Sequence, residues 1–182
     1  DVGIIEALTN PGQFLALIAA LVIGLSVHEC AHAWMALRLG DPTAAKMGRL
    51  TLDPRKHIDP MGALVFLLVG FGWARPVPVN GWLLGREGML QVSLAGPGSN
   101  FLLAAGSGLA ARLTSTAAAG NGPAVLGFVT NFLVFFTFLN LALAVFNLLP
   151  ISPLDGWSVL MGLLPEDLAD RLEPYARHGA MM

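Results

Sequence analysis

One cysteine and one tyrosine stand among 182 residues, and only 12% of the chain is charged, where an average soluble domain runs at about a quarter. The lone Cys30 excludes a disulfide framework and a zinc site made of cysteines alone. Ten basic residues against twelve acidic ones give a net charge of -2, which leaves no electrostatic footprint for phosphates and excludes a nucleic-acid partner. There is no internal repeat and no low-complexity tract, and the longest polar connection, 40–59, is too short for a second soluble domain. No basic stretch precedes the first apolar run as a secretory signal would require. The chain opens on Asp1 and stops soon after Asp155, so a trimmed piece of a longer protein is expected.

What remains is apolar. The chain is 55% hydrophobic with a mean hydropathy of +0.67 and 21 glycines, a membrane composition. Three runs, 14–39, 89–113 and 124–149, exceed the roughly 20 residues a helix needs to cross the hydrocarbon core. A fourth, 61–73, is too short and carries Gly62, Gly70 and Gly72. It reads as a re-entrant piece that leads through Pro76-Val77-Pro78-Val79-Asn80-Gly81 into extended chain and a turn. The expected fold is therefore an all-α polytopic membrane protein, with three full transmembrane helices plus a re-entrant segment with a β-like hairpin over 61–82. A charged tail, 165–182, is expected to form a short surface helix, and 1–182 is expected to be one domain.

Charge placement orients this arrangement. Arg38, Lys46, Arg49, Arg55 and Lys56 crowd the first connection, while 114–123 has no basic residue. By the positive-inside rule the first connection is cytoplasmic. With a re-entrant fourth piece, Arg75 and Arg86 fall on that side too, and the chain after the last span returns to it. His57, in the same connection, is expected to be solvated.

Against this background the first span carries His28-Glu29-Cys30-Ala31-His32. The i, i+4 spacing puts both imidazoles on one helix face, where they can take two corners of a tetrahedral zinc. Glu29 beside them suits the general base that takes a proton from a metal-activated water. Each ionisable group deep in a spanning helix costs on the order of a few kcal/mol, so three within five residues point to a metal or a wet cavity. A third ligand is needed, and most carboxylates lie in connections or the tail. Asp155 alone is flanked by apolar chain, after Pro150 and Pro153 have ended the last helix, and it arrives on the same side as His28 and His32.

These residues resemble the site-2 protease family of intramembrane zinc metalloproteases, in its compact prokaryotic branch without a PDZ domain. The resemblance rests on His28-Glu29-x-x-His32, on Ala95-Gly96-Pro97-x-x-Asn100, and on Asn147-x-x-Pro150 followed by Leu154-Asp155-Gly156. It covers nearly the whole chain. It implies a prokaryotic plasma-membrane, multi-pass endopeptidase with one Zn2+ per chain, held by His28, His32 and Asp155, with Glu29 as base. The substrate it implies is a transmembrane segment of another protein in the lipid bilayer. Asn147 would bind substrate backbone or steady the oxyanion, and extended substrate would pair along Val77, Val79 and Asn80. Asn100 is expected to support the site by bonding across helices, and Asn140, two helical turns before Asn147, to support it by packing. A silent relative that binds helices without cutting, or a zinc transporter, would also bury such residues. Glu29 argues against the first, and the one-sided clustering of ligands argues against the second.

Overall fold

The computed structural model describes residues 11–69, 72–118 and 123–179. Helix α1, Pro11–Arg38, starts on a proline, the residue whose missing N–H costs least in a first turn. It ends where Gly40 takes a φ of 94°. The Asp41 N–H then reaches back to Ala36 O at 2.8 Å and the Gly40 N–H to Leu37 O at 3.1 Å, a Schellman stop that satisfies the last carbonyls. The short α2, Thr43–Lys46, ends in the same way. Gly48 has a φ of 68° and the Arg49 N–H bonds Ala44 O at 2.9 Å. These two glycines turn the first connection back over the end of α1.

A 3₁₀ turn at Pro54–Lys56 leads to α3, Pro60–Val69. Helix α4, Gly81–Ala118, is capped by Asn80, whose side-chain oxygen accepts the Trp82 N–H at 3.1 Å, and it breaks at Gly85, with φ 60° and ψ -171°. Then come α5, Ala124–Asn147, α6, Asp155–Leu163, and α7, Glu166–Gly179. Helix α4 is the hub, packing on α1, α5 and α6.

A polar stripe joins α4 to α5. The Asn100 amide donates to Asn140 Oδ1 at 2.8 Å, Ser107 Oγ meets Thr137 Oγ1 at 2.7 Å, and Thr130 Oγ1 meets Thr114 Oγ1 at 2.8 Å. Residues 100, 107 and 114 are seven apart, two helical turns, and so share one face. Interhelical bonds of this kind are worth on the order of 0.6 kcal/mol each in membranes. The outer faces are apolar instead, with Leu15, Leu102, Leu109, Phe128 and Phe138 all exposed.

Two expectations change. Among the described residues two helices, α1 and α5, are long and apolar enough to cross a membrane by length and composition. The segment 89–113 is helical, but Ser93, Ser99, Asn100, Ser107 and several glycines dilute its apolarity. The β-like hairpin does not form among the described residues, which contain no strand. A single antiparallel bridge links Ile58 and Ala74, with the Arg75 N–H on His57 O at 2.7 Å. Pro76 and Pro78 lack the N–H groups a ladder would need next. Residues 70 and 71 of the proposed re-entrant piece lie outside the description.

Candidate metal centre

Helix α1 delivers His28 and His32 one turn apart, both buried. Their Nε2 atoms lie 3.0 Å from each other. Asp155 is brought to them from the far end of the chain, with its Oδ2 3.0 Å from His28 Nε2 and 3.2 Å from His32 Nε2. Among the described residues these three are the group of His, Cys, Asp and Glu side chains that could hold a metal ion.

Helix α4 holds both imidazoles from behind. His32 Nδ1 lies 2.7 Å from Val92 O, and His28 Nδ1 lies 2.6 Å from Asn100 Oδ1. Both partners are acceptors, so each Nδ1 carries the proton and each Nε2 presents a lone pair. The Asp155 Oδ2 is buried and has no hydrogen-bond donor. Three electron-rich atoms this close together, with Nδ1 of each ring turned to an acceptor, suit a cation among them. Two neutral imidazoles and a carboxylate are a borderline-soft nitrogen and oxygen set, the kind zinc takes in catalytic sites that keep a fourth position open. The residues present therefore fit zinc.

Glycines decide how closely the elements approach. A Cβ on Gly96 would lie 2.3 Å from His32 Nε2 and 2.6 Å from His28 Nε2. Val92, Gly96 and Asn100 are each four apart and share one face of α4, so the two anchoring acceptors flank the bare glycine backbone. At the other ligand, a Cβ on Gly156 would sit 2.3 Å from Leu148 C, Leu148 O and Leu149 O. That contact lets α6 begin at Asp155 directly against the turn that ends α5. Arg86 donates from Nε to Met161 O at 2.9 Å and ties α6 to the start of α4.

Glu29 is buried beside the cluster, within electrostatic reach of His28, His32, Asp155 and His57. Asn147 is the last residue of α5 and turns its amide back to Leu143 O at 2.9 Å. Val77 and Val79 lie half-buried in non-helical chain. The Asn80 side chain caps α4, and its N–H donates to Asp41 Oδ2 at 2.7 Å. Asn100 and Asn140 are fully buried, and Asn100 touches the site directly through His28.

The first connection is not the solvated loop its composition suggested. Asp41, Arg49 and His57 are all buried. His57 bonds Thr51 O through Nε2 at 2.7 Å, and an Arg49 guanidinium nitrogen donates to Arg75 O. Burial pushes the Asp41 carboxyl up, but the Asn80 N–H and the Thr43 hydroxyl and N–H outweigh it and hold the group below the ordinary aspartate value. Asp41 thereby pins the segment before α4 to the end of α1. The local clue was Gly40 and Gly48, which reverse the chain; the partner at Asn80 is too distant in sequence to be read.

The chain is 39% identical over 168 residues to "Putative zinc metalloprotease YwhC" of Bacillus subtilis, covering 90% of this chain and 75% of that protein. To "Putative zinc metalloprotease Rip2" of Mycobacterium tuberculosis it is 34% identical over 177 residues, covering 93% and 65%. The Mycolicibacterium smegmatis protein of the same name is 32% identical over 185 residues, covering 98% and 68%. This chain thus spans about two thirds to three quarters of these relatives. No family profile and no solved structure matches it.

Proposed function

The chain belongs to the site-2 protease family of zinc metalloproteases, and from that premise we propose that it cuts peptide bonds in membrane-spanning segments of other proteins. The observation that carries the reading is the three-ligand cluster with Glu29 beside it, two of its ligands lying in a helix apolar enough to cross a membrane. Only 33% of the most apolar window of α1 and 17% of that of α5 is buried inside the chain. A core helix of a soluble protein would be mostly buried, so lipid is the environment these faces suit.

In this reading α1 and α5 cross the bilayer, the 38-residue α4 crosses with them because its polar stripe is paired against α5 and not against lipid, and α3 dips in from the side that carries Arg38, Lys46, Arg49, Arg55 and Lys56, the cytoplasmic one. His28, His32 and Asp155 hold one zinc ion. When bound, zinc supplies Lewis acidity that brings the pKa of the attacking water toward about 7 and polarises the scissile carbonyl. Glu29 takes the proton from that water as the C–O bond forms and gives it to the leaving nitrogen as the C–N bond breaks. The Asn147 amide exchanges its Leu143 carbonyl for the substrate backbone.

An apolar cleft of about 710 Å³ runs between α1 and α5 beside Trp73 and Ala74, lined by Val22, Leu25, Leu139 and Leu143. It suits an apolar substrate segment. Within 76–80 the prolines remove alternate N–H groups and Asn80 is committed to Asp41. Val77 and Val79, two residues apart, therefore offer their N–H groups along one edge for an unwound substrate strand.

Reconstitution into vesicles with a transmembrane model peptide tests this. The wild type should cut the peptide, a chelator should stop it and zinc should restore it. Glu29→Gln should keep its zinc and lose about 10²- to 10⁴-fold in rate. Zinc-loaded chain that leaves such peptides intact, or Glu29→Gln cutting at the wild-type rate, would overturn the proposal.

A further inference from the structure

Behind His28 lies a directed chain of amides. Asn140 donates from Nδ2 to Phe136 O at 2.9 Å, which turns its Oδ1 toward Asn100. Asn100 then spends both amide hydrogens, one on Asn140 Oδ1 at 2.8 Å and one on Gly24 O at 3.2 Å. Only its Oδ1 is left for His28 Nδ1, at 2.6 Å. Both asparagines have 0% of their surface exposed, so water cannot substitute for any link. A Cβ on Gly24 would lie 2.9 Å from Asn140 Oδ1, so α1 is bare where the amides meet.

An amide can flip, and its two orientations have opposite consequences for a histidine. With Oδ1 toward His28 the proton stays on Nδ1 and Nε2 is free to bind a cation. With the NH2 group toward His28, Nδ1 must accept, the proton moves to Nε2, and that nitrogen can no longer be a ligand. We propose that Asn140, which touches no metal ligand, sets the orientation of Asn100 and through it the ligating tautomer of His28. Asn140 is thus a positioning residue for zinc, acting across three helices. The inference rests on the zinc-protease reading of this site, and the readouts below do not depend on proteolysis.

Variants at these two asparagines should differ in zinc affinity. In Asn140→Leu one of the two acceptors that hold Asn100 is lost, so zinc affinity should fall about 10- to 100-fold, the range for residues that support a ligand from behind. In Asn140→Asp, whose carboxyl still accepts from Asn100, affinity should stay within a few-fold of wild type. Asn100→Asp accepts on both oxygens and has no orientation to lose. Adding Asn140→Leu to it should therefore cost no further affinity.

The experiment is competition between the full chain in detergent and a chromophoric zinc chelator, with ¹⁵N spectra of the His28 ring on the same samples before zinc is added. Wild type should show a protonated Nδ1 and Asn140→Leu a protonated Nε2 in a large share of molecules. Equal zinc affinity in wild type and Asn140→Leu, or an unchanged His28 tautomer in that variant, would overturn the inference. If Asn140→Leu does not fold, an Asn140→Asp variant that folds and loses zinc would overturn it equally. Failure of the wild type to bind zinc would instead defeat the protease reading beneath it.

Discussion

Consider a single methyl group added at Gly96. Its Cβ would sit 2.3 Å from His32 Nε2 and 2.6 Å from His28 Nε2, whereas ordinary contact begins near 3.4 Å. Each ring must therefore retreat by about 1 Å, while zinc–nitrogen bonds near 2.0–2.1 Å tolerate about 0.2 Å. Moving α4 outward gives no relief. Val92 O and Asn100 Oδ1, which anchor the two rings at 2.7 and 2.6 Å, belong to the same helix and would move with the methyl. Gly96→Ala should consequently weaken zinc binding by at least about 100-fold, the upper end for changes that merely support a ligand. Gly98→Ala supplies the control, because nothing lies within 4 Å of its added carbon. It should keep zinc and gain up to about 1 kcal/mol from replacing a helical glycine. Chelator competition measures the affinities, and thermal unfolding without zinc checks that both variants fold. If Gly96→Ala held zinc as tightly as Gly98→Ala, the close approach of α4 to the ligands would be wrong.

Two further outcomes follow from the same geometry. Gly156→Ala would drive a carbon into Leu148 and Leu149 and push α6 off the turn that presents Asp155, so zinc binding and thermal stability should fall together; a variant with wild-type zinc affinity would refute that packing. The folded pKa of Asp41 is depressed, so its bonds contribute in full above the unfolded value of about 3.9 and are lost only as pH falls through the folded one. Hydrogen exchange at the Asn80 amide, corrected for its intrinsic rate, should therefore be flat from pH 7 to about 4 and rise only below; acceleration between pH 7 and 5 would contradict the assignment.

The ligands were legible because charge is scarce in this chain. His28, Glu29, His32 and Asp155 interrupt apolar sequence, and no bland role makes up for their desolvation. The helices of the three apolar runs were legible by length, though α4 is less apolar than its span reading assumed. Tertiary geometry decided the rest. The pairing of Asp41 with Asn80 closes a loop of 39 residues that no local pattern announces, and it buries residues whose polarity argued for solvent. The prolines that suggested extended chain at 76–80 also deny it a ladder. Helix α6 was not anticipated, since Pro150 and Pro153 pointed only to the end of the last span. Asn140 appeared as packing, because the direction in which an amide points is invisible in sequence.

The site draws on distant parts of the chain, with 126 residues between His28 and Asp155. A ribosome makes α1, with its two imidazoles and Glu29, long before the Asp155 carboxylate exists. Until α4 brings Val92 and Asn100 behind the rings, neither tautomer is fixed, and until α6 emerges no third ligand can close the site. The three-ligand cluster therefore assembles only after Asp155 has been made. A nascent or prematurely terminated chain carries the His28-Glu29-x-x-His32 motif without the third ligand.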